Sequence, residues 1–179
     1  LVHDDLTQRG GAERVVLSLA QLFPDAPIYT AAYDPDGTFP EFASRDIRTS
    51  FLQRLPHTGG SARALLPLYP AAFETLRPKG VDAVISSSSR FAHGVRTGGI
   101  PHLCYCHNPA RFLYQPDDYF GAGGPVPGWL RPALAPVLRG LRRWDAAAAS
   151  RPDEYLANSR VVAGRILDTY GRTATVVNP

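Results

Sequence analysis

Short runs of apolar and β-branched residues alternate along this chain with longer stretches that have helical periodicity. The predicted strands are residues 1–3, 27–33, 47–49, 82–86, 100–106, 154–157 and 173–177. The predicted helices are residues 12–23, 61–76, 129–150 and 159–170. Strands that alternate with helices of about 10–15 residues favour a parallel sheet with helices on both faces. The pattern therefore predicts an α/β fold.

The first predicted helix is amphipathic. Its apolar face is expected to consist of Val15, Val16, Leu19, Leu22 and Phe23. Glu13 and Arg14 fall in its first turn and are expected on the solvent face, where Glu13 also suits the positive end of the helix dipole. Pro24 follows the last apolar residue and ends the helix.

Two other segments carry local signals. Pro67 and Pro70 interrupt the helix predicted at 61–76, which favours a kink or two short helices. Ser86–Ser89 follow the fourth predicted strand and are expected to form a polar turn. Binding of a ligand hydroxyl by these serines is the alternative.

The composition narrows the class of protein. The 179 residues suffice for one domain with a single core. A hydrophobic fraction of 44% and a charged fraction of 20% favour a globular chain. The net charge of +3 suits anionic partners such as nucleotides or polyprenyl phosphates, but the arginines are too dispersed to indicate a nucleic acid. No apolar run approaches the ~20 residues that span a bilayer, and no signal peptide is visible, so a cytoplasmic protein is expected.

The two cysteines do not indicate a metal site. Cys104 and Cys106 are two residues apart on a predicted strand and point to one face, whereas His107 points to the other. A disulfide between them would be strained, and no second cysteine pair completes a zinc site. Buried free thiols in a reducing compartment are the simplest interpretation.

Polar residues concentrate where the predicted strands end. Ligands of parallel α/β sheets bind beyond the carboxyl ends of the strands. The segments expected there are residues 4–11, 86–90, 107–111 and 158–160. Their coincidence predicts a site at this edge of the sheet.

The first candidate is the Gly10-Gly11 pair, between a strand and a helix. Glycines allow close approach of the backbone to a ligand, and a helix N-terminus favours an anion. The pair belongs neither to a GxGxxG fingerprint nor to a Walker A loop. A plain tight turn is the alternative.

Two further candidates follow later strands. His107 and Asn108 come directly after the fifth strand, where a histidine can donate to a sugar hydroxyl or to developing charge, and Arg111 can meet a phosphate. The alternative is that the imidazole only forms hydrogen bonds with backbone groups and has no role in binding. Asn158 and Ser159 follow the sixth strand, where a helix N-cap alone would explain them.

Several motifs occur in an order that resembles a known enzyme family. They read LVHDDLTQRGGAERVV, LFPDAPIYT, TSFLQRLP, ISSSSRFAHGVRT, CYCHNPARFLY, LRRWDAAAASRPDEYLANSRVVAGRI and YGRTATVVNP. Together they are similar to the N-terminal half of retaining GT4 (group 1) glycosyltransferases. The resemblance spans essentially the whole chain and implies a Rossmann-like domain, the N-terminal half of a GT-B fold.

The resemblance also implies roles for individual residues. In this family the GG loop lies near the donor phosphates and the acceptor, which assigns Gly10 and Gly11 to substrate binding. The histidine of the H-x-P segment contacts the donor sugar, which makes His107 the candidate catalytic residue. The Asn-Ser pair after the sixth strand faces the interdomain cleft, which makes Asn158 and Ser159 candidates for substrate binding.

The implied reaction is transfer of a hexose from a nucleotide-sugar with retention of configuration. GDP-mannose is one candidate donor. The acceptor is expected to be a lipid-linked saccharide, a precursor of a cell-envelope polysaccharide or a small molecule. No metal and no other cofactor is expected, because helix dipoles and basic side chains can take the charge of the leaving diphosphate.

Two features depart from the family pattern. Asp5 stands where many relatives have Trp, which affects the expected acceptor contacts of the first loop. The second domain of the family, which carries the donor-binding E-x7-E motif, is absent from residues 1–179. The chain is therefore expected to be a single acceptor-side domain that is inactive alone.

Two other functions are weighed against this one. The first is a non-enzymatic nucleotide- or sugar-binding module, which tight nucleotide binding by the chain alone would favour. The second is a Rossmann oxidoreductase, which is disfavoured because the chain lacks GxGxxG and an acidic residue about 20 positions later.

The helix predicted at 129–150 also suggests contact with an anionic membrane. Its apolar residues are Trp129, Leu130, Leu134, Val137, Leu138 and Leu141, and its arginines are Arg131, Arg139, Arg142 and Arg143. This combination suits an interfacial helix at the inner face of a membrane. The alternative is that the apolar face packs against the core.

Overall fold

Seven parallel strands form the centre of the domain. In a computed structural model, residues 1–55, 65–115 and 131–179 are described, except for the side chains of 131–134. Within these ranges the strands are β1 (Val2–His3), β2 (Ile28–Thr30), β3 (Ile47–Thr49), β4 (Val84–Ser88), β5 (His102–Cys106), β6 (Glu154–Ala157) and β7 (Thr175–Val176). Their order in the sheet is β3-β2-β1-β4-β5-β6-β7, and all the pairings are parallel.

The helices connect these strands. In the described ranges they are α1 (Gly11–Leu22), α2 (Tyr69–Thr75), α3 (Arg111–Tyr114), α4 (Arg131–Ala148) and α5 (Arg160–Tyr170). Short 3-10 turns lie at Pro40–Ser44, Phe51–Arg54, Leu66–Leu68 and Ala92–Gly94. The strand order reverses between β1 and β4, which is where sheets of this kind open a ligand crevice.

Helices cover both faces of the sheet. Ile28 and Tyr29 are consecutive in β2 and therefore point to opposite faces. Ile28 packs in one core cluster with Val16 of α1. Tyr29 belongs to a second cluster that includes Leu141 of α4. The expected α/β fold with a parallel, Rossmann-like sheet is confirmed.

The expectation for α1 is partly wrong. Its buried stripe runs through Glu13, Val16 and Ala20. Leu22 lies on the opposite side of the helix and is 72% exposed, and Phe23 is the C-cap and 46% exposed. Glu13 is buried rather than solvated, because it finds polar partners beneath the helix.

Two further expectations meet different outcomes. The described part of the proline-interrupted segment consists of the 3-10 turn Leu66–Leu68 followed by α2, which confirms the expectation of two short helices. Residues 56–64 lie outside the described ranges. The polar turn predicted at Ser86–Ser89 is wrong. β4 continues through Ser88, and Ser86, Ser87 and Ser88 are buried because each hydroxyl meets a histidine.

The helix predicted at 129–150 corresponds to α4. Trp129 and Leu130, and the Gly/Pro-rich segment 120–128, lie outside the described ranges. Leu138 and Leu141 pack against the core, as the alternative to a membrane face requires. Val137 is 39% exposed.

Candidate functional site

A cavity of about 630 Å³ opens at the carboxyl ends of β1, β4, β5 and β6. It is lined by His3, Asp4, Gln8, Ala12, Glu13, Ser89, Arg90, His107, Asn108, Arg111, Phe112, Asn158, Ser159, Val161, Val162 and Arg165. Five of the seven candidate residues therefore share one cavity. Gly10 and Gly11 are not among the lining residues, although Gln8 and Ala12 on either side of them are.

Asp4 organises the loop after β4. Its carboxylate accepts hydrogen bonds from the backbone N–H groups of residues 89, 90, 91 and 92, at 2.6, 2.9, 2.8 and 2.8 Å. Burial alone would raise the pKa of this carboxyl, but Arg90, His3 and the backbone N–H groups together hold the pKa below its ordinary value. Asp4 thus ties the end of β1 to the loop that carries Arg90.

Asp5 is buried and does not line the cavity. Its carboxylate pairs with the guanidinium of Arg90 and accepts a hydrogen bond of 2.6 Å from the hydroxyl of Tyr69. Burial raises the pKa of Asp5 despite the opposing effect of Arg90. Asp5 therefore holds α2 and Arg90 in place.

His107 follows β5 directly and is half-buried. Its backbone N–H donates to the carbonyl of Ser88 at 2.8 Å, and its Nε2 lies 2.8 Å from Oγ of Ser87. Burial and, to a lesser extent, the nearby His3 lower the pKa of His107 to about 4. The imidazole is therefore neutral at physiological pH.

The N-terminus of α1 reaches the rim of the cavity. Gly10 is its N-cap in an extended conformation, and no side chain caps the helix there. Neither Gly10 nor Gly11 has a positive φ, so neither is needed for a left-handed turn. A Cβ on Gly10 would lie 2.5 Å from Oε2 of Glu13, whereas a Cβ on Gly11 would meet no atom within 4 Å.

Glu13 lies beneath this helix start. Its Oε1 accepts a hydrogen bond of 3.0 Å from Gln8 and lies 3.8 Å from Nε2 of His3. Burial would raise the pKa of Glu13, but His3, a backbone hydrogen bond and Gln8 together lower it below its ordinary value. Glu13 and His3 were not singled out as site residues, and an acidic residue in a first helical turn is usually solvated.

The β5 and β6 loops are linked to α5. Oδ1 of Asn108 accepts a hydrogen bond of 2.7 Å from Arg165. Ser159 caps α5, with its Oγ accepting from the N–H of Val162 at 3.3 Å, as the N-cap alternative requires. Asn158 lies beside this cap, and its Oδ1 accepts from Oγ of Ser159 at 3.2 Å.

Three guanidinium groups line the cavity. Arg90 is paired with Asp5, whereas Arg111 and Arg165 form no ion pair within the described residues. Two helix N-termini, those of α1 and α5, open onto the same space. These features favour an anionic ligand. Arg165 was not predicted, because its position in mid-helix carries no signal in the sequence.

The described residues contain no group of three His, Cys, Asp or Glu side chains that could hold a metal ion. Both cysteines are buried and free, and burial raises the pKa of the Cys104 thiol to about 12. No helix in these residues is long and apolar enough to cross a membrane.

Comparison with known families identifies the domain. The profile described as Glycosyltransferase Family 4 matches residues 9–179. The chain belongs to glycosyltransferase family 4. Comparisons with curated proteins and with solved structures return no match.

Membership of glycosyltransferase family 4 makes the chain a domain of a transferase and excludes the oxidoreductase alternative. The match includes all seven candidate residues, from Gly10 to Ser159. The cavity at the carboxyl ends of the strands is therefore the candidate substrate site of a family 4 domain.

Proposed function

We propose that this domain is the acceptor-side half of a retaining GT-B glycosyltransferase that transfers a hexose from a nucleotide-sugar to a glycan, lipid-linked or small-molecule acceptor. The observation that carries the proposal is the position of His107, a neutral imidazole in a cavity that favours an anionic ligand. A nucleotide-sugar combines the two groups that such a cavity suits, a diphosphate and a hydroxyl-rich sugar.

His107 is the proposed catalytic residue. A neutral imidazole can donate one hydrogen bond to a sugar oxygen without adding a full positive charge. A donor aimed instead at an oxygen of the leaving diphosphate would stabilise the negative charge that develops there as the bond between sugar and diphosphate breaks. No carboxylate nucleophile is assigned: Asp4 is engaged by four backbone N–H groups, and Glu13 is buried beneath the start of α1.

The proposed binding residues surround this histidine. Arg111 offers a guanidinium to a phosphate, and Asn108, Asn158 and Ser159 offer polar groups at the cavity wall. The start of α1 at Gly10-Gly11 offers backbone N–H groups to an anion. These groups support a transfer that uses neither a metal ion nor another cofactor.

Residues 1–179 are proposed to need a second, donor-binding domain. Transfer requires the donor and the acceptor to be held together, and the expected donor-binding E-x7-E motif is absent from residues 1–179. The chain alone is therefore proposed to be inactive. A non-enzymatic nucleotide- or sugar-binding module is the alternative.

The proposed location is cytoplasmic, peripheral at the inner face of a membrane. A lipid-linked acceptor would require such docking, and α4 presents the exposed side chains of Val137, Arg139 and Arg143. No nucleic-acid partner is proposed.

Substitution of His107 tests the proposal. In the complete enzyme, this domain joined to its second domain, His107→Ala should lower turnover by roughly 10²-fold, the effect of losing one positioned donor. Gln21→Ala, at an exposed position of α1 outside the cavity, is the control and should leave turnover unchanged. Normal turnover of a folded His107→Ala enzyme would show that the histidine is structural.

A further inference from the structure

Three consecutive serines of β4 each contact a different histidine. Ser86 Oγ lies 2.8 Å from Nε2 of His102, and Ser88 Oγ lies 3.3 Å from Nδ1 of His93. Ser87 Oγ lies 2.8 Å from Nε2 of His107. Because side chains alternate along a strand, Ser87 points to the opposite face from its two neighbours. Of the three histidines, His107 alone lines the large cavity.

The environment of Ser87 determines the direction of its hydrogen bond. Ser87 is 1% exposed, and among the described residues its Oγ has no hydrogen-bond partner except His107. A buried hydroxyl that fails to donate costs about 1–3 kcal/mol. Its proton is therefore satisfied by donation to Nε2 of His107, which requires Nε2 to be unprotonated.

This direction fixes the form of the imidazole. A neutral histidine with an unprotonated Nε2 carries its proton on Nδ1. The low pKa of His107, about 4, keeps the ring neutral, so a single N–H donor remains. Nδ1 forms no hydrogen bond with the described residues and is available to a ligand.

His3, on the neighbouring strand β1, forms a hydrogen bond with the backbone of Ser87. Nδ1 of His3 lies 2.9 Å from the carbonyl oxygen of Ser87, and because a carbonyl only accepts, this nitrogen carries a proton. Nε2 of His3 faces Glu13 at 3.8 Å, and both side chains are buried. The contact fixes the backbone of β4 at the residue that orients His107.

We propose that Ser87 is a positioning residue that holds His107 as the neutral Nδ1–H tautomer, so that the ring presents one N–H donor to an oxygen of the substrate. The catalytic consequence rests on the proposed function, whereas the tautomer does not. Ser87 does not line the cavity and acts through His107.

The tautomer can be measured without any activity. In the 15N-histidine-labelled protein, two-bond 1H–15N correlation spectra distinguish Nδ1–H from Nε2–H rings, and a His107→Asn variant assigns the signal. The Nδ1–H form of His107 should predominate at pH 7. Ser87→Ala should shift the ring toward the Nε2–H form, whereas Ser86→Ala and Ser88→Ala should leave it unchanged. A ring that is Nε2–H in the parent protein, or that Ser87→Ala does not alter, overturns the proposal.

Kinetics of the complete enzyme test the consequence. Ser87→Ala should lower kcat roughly 10- to 100-fold with little change in KM, because the donor is misplaced and not removed. Ser87→Thr keeps the hydroxyl and should restore both the tautomer and most of kcat, and it also serves if Ser87→Ala folds poorly. A shifted tautomer with normal kcat would overturn the positioning role. A parent enzyme that transfers no sugar would instead count against the proposed function and leave the tautomer result standing.

Discussion

At the scale of single residues, Asp4 connects the start of the chain to the candidate site. Its buried carboxylate accepts four backbone N–H groups, and an amide at this position would offer one oxygen in place of two. Asp4→Asn should therefore lower the free energy of unfolding by about 3 kcal/mol. Asp36→Asn, at an exposed position, is the control and should change it by less than about 0.5 kcal/mol. Chemical denaturation measures both values, and equal stability of the two variants would contradict this account.

The same carboxylate predicts a pH dependence. Its pKa is lowered in the folded protein, so its stabilisation is present above the unfolded pKa of about 3.9 and is lost as the pH falls through the folded pKa. The difference in stability between the parent protein and Asp4→Asn should therefore be constant from about pH 5 upward and should shrink below about pH 4. A difference that grows in acid would contradict this sign.

The two glycines before α1 should respond differently to substitution. A Cβ at Gly11 meets open space, so Gly11→Val should change the free energy of unfolding by less than about 1 kcal/mol. In the complete enzyme it should nevertheless reduce turnover, because a branched side chain would crowd the approach of a diphosphate. Gly10→Val is the contrasting variant and should destabilise the fold, since its Cβ would collide with Glu13. Unchanged turnover of Gly11→Val would show that this glycine only begins the helix.

Some of this detail could be predicted from the sequence and some could not. His107, Asn108, Arg111, Asn158 and Ser159 each follow a recognisable strand, and parallel strands bring their carboxyl ends to one edge. The burial of Glu13 could not be predicted, because its partner His3 lies on β1 and becomes a neighbour only in the folded domain.

At the scale of elements, Trp144 of α4 packs against the 3-10 turn Ala92–Gly94. A Cβ on Gly94 would collide with the indole ring, which is also held by a hydrogen bond of 2.9 Å to Glu74 and by an edge contact with Phe91. Gly94→Ala should therefore lower the free energy of unfolding by about 1–3 kcal/mol.

Gly164→Ala is the matched control for this element. Gly164 lies in the interior of α5, and a Cβ there would meet no atom within 4 Å. Alanine should raise the free energy of unfolding by about 0.5–1 kcal/mol through helix propensity. Thermal or chemical unfolding gives the sign of each change. Stabilisation by Gly94→Ala would contradict the packing of α4 on this turn.

Helix α4 also carries the proposed membrane contact. Arg139 and Arg143 are exposed, whereas Arg142 donates from its Nε to the carbonyl of Leu113. Binding to anionic vesicles should be measurable by co-sedimentation at low salt and should weaken as salt rises, because screening limits the attraction to ~10 Å at 0.1 M. Replacing Arg139 and Arg143 with Gln should reduce it. If the protein does not bind anionic vesicles even at low salt, α4 serves only to pack against the core.

Long elements could be predicted from the sequence more reliably than short ones, because only long elements show a periodic pattern of apolar residues. The strands and the long helices have strong periodicity, so their existence was predicted and their ends differ by a few residues. The 3-10 turns and the four-residue α3 are too short to show a period and were missed. β4 was predicted to end two residues too early because its last residues are serines, which are buried only because histidines satisfy them.

At the scale of the whole molecule, the chain is a domain of a family 4 glycosyltransferase, and we propose that a second domain completes its cavity. The cavity lies at the reversal of strand order, where residues from β1, β4, β5 and β6 meet. The order of strands, helices and polar loop segments along the chain was sufficient to predict that these residues meet at one edge of the sheet. The donor, acceptor and linkage could not be predicted in the same way, because residues 1–179 do not contain the donor-binding motif expected from the resemblance.

The most direct test compares sugar transfer by this chain alone with transfer by the complete enzyme, under one set of nucleotide-sugar donors and acceptors. We expect turnover by the complete enzyme. For the isolated chain we expect no transfer above the blank and only weak nucleotide binding, because groups from both domains must hold the reactants together. Measurable transfer by the isolated chain, or tight nucleotide binding by it without transfer by the complete enzyme, would contradict the assignment of a half-enzyme.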